Sequence, residues 1–236
     1  MEPLNDLIKK AHKTLNENRN AKYEITDEVH PRNRKLRRIR ALRDIRRHGV
    51  RAGDLGGYIE SEMNLDQSGD AWVSDEARVF GKAEVSGDAR VHGNASVSGD
   101  AWVFDDASVS DDASVSERAQ VYSNASVSDK AHVYGKASVS DDARVYGKAF
   151  VSGEAKVYGD AWVSLEAEVY GNASVYGDAL VSGDARVYGE AEVYGNASIY
   201  GNAEVSGNAH VFGRAEVSGR AVIDGNQEVS GDERIS

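Results

Sequence analysis

Ser86-Gly87-Asp88-Ala89-Arg90-Val91 is one unit of a six-residue pattern that runs unbroken from Ser68 to Ser236. Val73 opens a column of Val or Ile at every sixth position that closes at Ile235, 28 consecutive positions in all. Only Ile199, Ile223 and Ile235 depart from Val, and they too are β-branched. Ala precedes each of these residues by two positions from Ala71 to Ala221, giving way only at Gln227 and Glu233. A fixed short period is the mark of a solenoid. Side chains two apart on a strand share a face, so each unit reads as a short strand with Ala and Val inward and the residue between them outward.

The corner of each unit is Gly in 20 of 28 cases; Asp75, Asp105, Asp111, Glu117, Ser123, Asp129, Asp141 and Leu165 take its place in the rest. Gly, Asn and Asp tolerate the positive φ that tight turns need. The aspartates are therefore read as turn formers and not as calcium ligands. The nonapeptide spacing of a calcium-binding β-roll is missing. The only prolines, Pro3 and Pro31, lie outside the repeat.

An aliphatic residue followed four positions later by a small one, as in Val73 then Ala77 and Val79 then Ala83, resembles the motif of the hexapeptide-repeat left-handed parallel β-helix. The resemblance covers residues 68–236 and implies three units per triangular coil, hence about nine coils. At ~4.8 Å per layer the prism would be roughly 40–45 Å long. Its interior of Ala and Val would be narrow and filled. The implied fold class is mainly β, a left-handed parallel β-helix with a small α/β N-terminal cap, divided at residues 1–66 and 67–236.

The chain carries a net charge of −11, unevenly spread. Residues 1–67 hold 15 Lys/Arg and 11 Asp/Glu, whereas the repeat holds 13 and 28. The shift marks a domain boundary near 60–67. The absence of cysteine excludes disulfides and thiolate sites, and no cofactor or metal site is expected. No stretch is apolar enough to span a membrane and no signal pattern is visible, so a cytoplasmic protein is expected.

Before the repeat, Leu4, Leu7, Ile8, Ala11 and Leu15 predict an amphipathic helix over about 3–18, and residues 22–27 a short strand. Residues 35–45 fit either element. The glycines of 53–57 predict tight turns into the first coil. Arg38-Ile39-Arg40-Ala41-Leu42, with Gly53-Asp54-Leu55-Gly56-Gly57-Tyr58-Ile59-Glu60-Ser61-Glu62 and Asn64-Leu65, resembles a leader that precedes such repeats. That leader is found in phage and prophage proteins and in a bacterial family described as hexapeptide acyltransferase-like. The resemblance implies a strand over 35–45, a phage origin and action in the host bacterial cytoplasm.

Three kinds of site follow. Residues 32–51 hold ten Lys/Arg against one acid. Arg37, Arg38, Arg40, Arg43, Arg46 and Arg47 could meet nucleic-acid phosphates, or pair with acidic residues of the rod or of a neighbouring subunit. No aromatic interrupts the run to stack bases. Acyltransferases of the resembled family use a His at a subunit interface beside a protruding loop. His92, His132 and His210 are the repeat's imidazoles, fall on three different faces by their spacing, and have no loop beside them. Phe104, Tyr122, Tyr158, Tyr176, Tyr194 and Phe212 share one edge at 18-residue spacing, broken by Ser140. Such a column supports the ladder or marks a partner surface. Trp72, Trp102 and Trp162 stand at outward positions and need cover, which points to a homo-oligomer, a trimer by the resemblance. Gln227 and Glu233 would place polar groups inward and block growth at that end. The reading preferred is a non-catalytic acidic binding or scaffold protein with a host protein partner. Acyl transfer and nucleic-acid binding are its alternatives.

Overall fold

The computed structural model describes residues 21–236. Three longer strands come first: β1 (Tyr23–His30), β2 (Asn33–Ala41) and β3 (Leu55–Ile59). Twenty-eight two-residue strands follow at six-residue spacing, from β4 (Trp72–Val73) to β31 (Arg234–Ile235). Up to β28 each pairs in parallel with the strand 18 residues on, in flat register: Val109 lies between Val91 and Val127. Three parallel sheets result, and the chain visits them in turn. We call them face A, which carries Arg78 and Ser96, face C, with Glu84 and Trp102, and face D, with Trp72 and Arg90. The coil is therefore three units long, and the solenoid has about ten turns.

The interior is what the sequence pattern requires. The Ala and Val columns are fully buried from Ala71 to Val217. Both residues are small, so the main chains of the three faces approach closely and the core is a stack of methyl groups. It exists only because coils stack, since no single coil buries its own ends.

The corners explain the eight replacements of glycine. Every one has positive φ, between 56° at Ser123 and 61° at Glu117 and Leu165. The five corner aspartates gain something in return. The corner N–H of the coil above points down, and the carboxylate accepts it: Asp75 from Gly93 at 3.0 Å, Asp129 from Gly147 at 3.0 Å, Asp141 from Gly159 at 3.1 Å. Asp105 and Asp111 do the same for Ser123 and Asp129, both at 3.3 Å. The aspartates are thus turn formers whose carboxylates are used within the chain.

The N-terminal segment closes the first coil. β2 pairs antiparallel with β1 and β3, and β3 pairs in parallel with β5 (Arg78–Val79). Face A is thereby extended to twelve strands. The strands expected over 22–27 and 35–45 are present as β1 and β2; only the short 3-10 turn Arg46–His48 follows β2. The helix expected over 3–18, the α part of the cap, lies outside the described residues; those described before the repeat form strands and short 3-10 turns. Gly56 and Gly57 correct the expectation of tight turns, because they lie within β3. A Cβ on Gly56 would come within 2.7 Å of the Trp72 ring, and one on Gly57 within 2.6 Å of the Ala77 carbonyl. Close approach is what requires glycine there; only Gly53, at φ 96°, serves a turn.

Polar plugs complete the seal. Asn64 is fully buried and donates to the carbonyls of Ala83 at 2.8 Å and Gly81 at 3.1 Å. Lys22 is equally buried, its Nζ donating to Ala71 O at 2.9 Å and Ser68 O at 3.2 Å. Gln227 and Glu233, expected to place polar groups in the buried interior, are exposed; the Gln227 Oε1 accepts the Asp224 N–H at 2.8 Å.

Candidate functional site

The aromatic column stacks. Phe104 lies on Tyr122 at 4.9 Å between ring centroids, Tyr158 on Tyr176 at 4.8 Å, Tyr176 on Tyr194 at 4.9 Å and Tyr194 on Phe212 at 5.0 Å. Interplanar angles are 5° or less, as the one-coil repeat dictates. All six rings are half-buried along the edge where face C turns into face D. Ser140 leaves the single gap. The Tyr176 hydroxyl donates to Glu192 at 3.0 Å, and burial followed by this bond pushes the phenol well above its usual range.

The three tryptophans separate. Trp72 is 1% exposed, covered by Gly56 and Ile39 of its own chain. Its place among the partner-facing residues is therefore corrected: the cap supplies the cover. Trp102 and Trp162 remain open, at 51% and 42% exposure. Trp102 stands on face C and lines a cleft with Phe104 of the ladder. Trp162 stands on face D, four residues after the ladder's Tyr158, with Arg144 over its ring at 5.3 Å and Tyr146 against its edge at 6.3 Å. The two indoles thus lie on opposite sides of the ladder edge at different heights, Trp102 beside Phe104 and Trp162 beside the Tyr158–Tyr176 stack.

The basic segment is largely spent within the chain. Arg38 reaches Glu28 at 3.2 Å and Glu76 at 3.5 Å, Arg40 reaches Glu24 at 3.2 Å, and Arg37 reaches Asp27 at 3.8 Å. Arg43 pairs with Asp70 at 3.2 Å, and Arg47 with Asp88 at 3.2 Å and with Asp106. Arg43, Arg47 and the Arg38–Glu76 pair tie the cap to the acidic rod. Of the six arginines singled out from sequence, only Arg46 has no such pair among the described residues. Exposed pairs of this kind contribute little stability each, yet they occupy the charge that phosphate would need.

The histidines stay apart. His92 follows a strand of face D, held below its usual pKa by burial and then by Arg90. His132 stacks on Phe150 of face A at 5.1 Å, and His210 of face C lies 3.7 Å from Glu192. No group of His, Asp or Glu among the described residues is arranged to hold a metal ion.

Sequence reasoning missed a second stack, Tyr170 on Tyr188 at 4.9 Å. The same 18-residue comparison applied to every column would have found it. It also missed ion pairs one coil apart, such as Lys136–Glu154 at 2.6 Å and Lys148–Glu166 at 2.7 Å.

No protein-family model matches the chain, and no curated protein matches it significantly. Its class rests on the structure: a three-faced parallel β-solenoid of the kind that hexapeptide repeats build.

Proposed function

We propose that this chain is a non-catalytic binding or scaffold protein that engages a protein partner through the aromatic edge of an acidic rod. The observation that carries this reading is the continuous Tyr158–Tyr176–Tyr194–Phe212 stack with the open Trp162 indole beside it, preceded along the same edge by the Phe104–Tyr122 stack with the open Trp102 indole beside it. Aromatic side chains on a rigid frame give large contact area at small entropic cost. The rod's excess of acids, 28 against 13 bases, favours a partner with a basic surface. The leader's resemblance to phage and prophage proteins points to a bacterial host partner. A nucleic-acid-binding protein or defence complex, whose phosphate site the rod would imitate, fits that charge. Self-association, with a trimer implied by the fold resemblance, would pack one face against a neighbour and leave others open.

Charge neutralisation tests the reading. Asp142→Asn, Asp160→Asn and Asp178→Asn together remove a row of acids beside Trp162. A captured partner should bind the variant several-fold more weakly and with a shallower salt dependence. Unchanged binding and salt dependence would exclude mimicry of phosphate.

A further inference from the structure

The β1–β2 turn at Pro31–Arg32 stands over face A and encloses with it a cleft of about 830 Å3. Arg78, Ser96 and Ser114 occupy successive positions on the floor, and the small serines leave the space. His30 closes one side. It is 8% exposed, packs edge-on against Tyr58 at 4.8 Å, and accepts the Arg32 N–H on Nδ1 at 3.2 Å. The neutral ring therefore carries its hydrogen on Nε2, which has no partner among the described residues.

Arg78 is the anomaly. Its Nε is buried with no hydrogen-bond partner. Neither Arg78 nor Arg32 forms an ion pair among the described residues, although acids are plentiful nearby. Those at the rim are engaged elsewhere: Glu76 by Arg38 at 3.5 Å, and Asp112 by the Asn94 amide at 3.1 Å. A buried charged donor with no acceptor is costly to keep. Here one such donor, the Arg78 Nε, lines a cleft together with the unpartnered Nε2 of the buried His30.

We propose that this cleft binds the carboxylate of a small organic acid. The planar Arg78 guanidinium presents a fork that matches a carboxylate. His30 Nε2–H, the Ser96 and Ser114 hydroxyls and the Arg32 side chain supply the remaining donors. Glu76 and Asp112 at the rim disfavour a dianion, which selects carboxylate over phosphate. The site lies on face A, away from the aromatic edge, and stands or falls independently of it.

The test is a titration of the 15N-labelled protein with sodium butyrate, at ionic strength held constant with chloride. The Arg78 Nε–Hε and His30 ring signals are followed. Both should shift saturably, with a Kd of about a millimolar, within what a ligand of so few atoms can reach. Arg78→Gln should abolish the His30 shift. Arg32→Gln, on an exposed turn and safe for folding, should weaken binding at least about threefold, the loss of one charged partner. Arg90→Gln, whose Nε is also without a partner but which lies outside the cleft, should leave it unchanged. A shift that does not saturate, or one reproduced by chloride alone, would overturn the site. Tighter binding of inorganic phosphate than of butyrate would overturn the assignment of its class.

Discussion

Two acidic corners, Glu117 and Asp141, should respond in opposite directions to the same substitution. Both have positive φ, 61° and 58°, and both are exposed. A side chain in the left-handed region costs about 1–2 kcal/mol, less for Asp than for Glu. Glycine removes that cost but adds roughly 0.5–1 kcal/mol of backbone entropy in the unfolded chain. Glu117 makes no side-chain hydrogen bond or ion pair among the described residues, so Glu117→Gly should stabilise by about 0.5–1 kcal/mol. The Asp141 carboxylate accepts the Gly159 N–H at 3.1 Å. Losing that bond costs about 1 kcal/mol and exceeds the smaller relief of strain, so Asp141→Gly should destabilise by about 1 kcal/mol. Each variant removes one negative charge from an acidic rod, so general repulsion cancels in the comparison. Thermal unfolding followed by circular dichroism should show midpoints displaced in opposite directions, by about 2–4 °C per kcal/mol for a chain of this size. Equal shifts of the same sign would refute the reasoning: the corner column would then be a conformational preference alone.

Trp72→Ala should cost about 3–5 kcal/mol, because a fully covered indole leaves a cavity between cap and first coil; a denaturant midpoint unchanged from wild type would show that the cap is not seated on it. Tyr176→Ser removes two ring stacks and Tyr122→Ser one, at about 0.5–1.5 kcal/mol each, so the former should lose about twice the stability of the latter. Lys22 adds a pH dependence of known sign. Burial lowers its pKa from 10.5 to about 8. Between those values the unfolded chain binds more protons than the folded one, so stability rises with pH. Tyr23, pushed up by burial, acts oppositely above about pH 10, where the folded state holds the proton. Urea unfolding from about pH 8 to 9.5 should therefore show a rise in wild type that Lys22→Met abolishes.

What could be read from sequence followed from repetition. The period of six, the inward Ala and Val, and the corners that tolerate positive φ depend only on local geometry repeated many times. Those features are where expectation and structure agree, down to the eight corners without glycine. The aromatic stack was legible for the same reason, since 18-residue spacing maps onto one edge once three units make a coil. Contacts between unlike parts of the chain were not legible. Nothing periodic announces that Trp72 is covered by Gly56, or that Gly56 and Gly57 serve close approach and not turns. The basic segment looked like a phosphate patch because composition counts charges but not partners; Asp70, Asp88 and Asp106 are distant in sequence and adjacent in space. The cleft over Arg78 was invisible because it needs a hairpin from outside the repeat to lean over it.

The claim that the aromatic edge is a binding surface is tested most directly by capture from bacterial lysate. Tagged wild type would be compared with a variant carrying Tyr158→Ser, Tyr194→Ser and Trp162→Ser, whose solenoid is first confirmed by circular dichroism. The account predicts a stoichiometric protein partner retained by wild type, weakened as salt is raised, and lost from the variant. The same protein retained equally by both would contradict it and place the binding surface elsewhere on the rod.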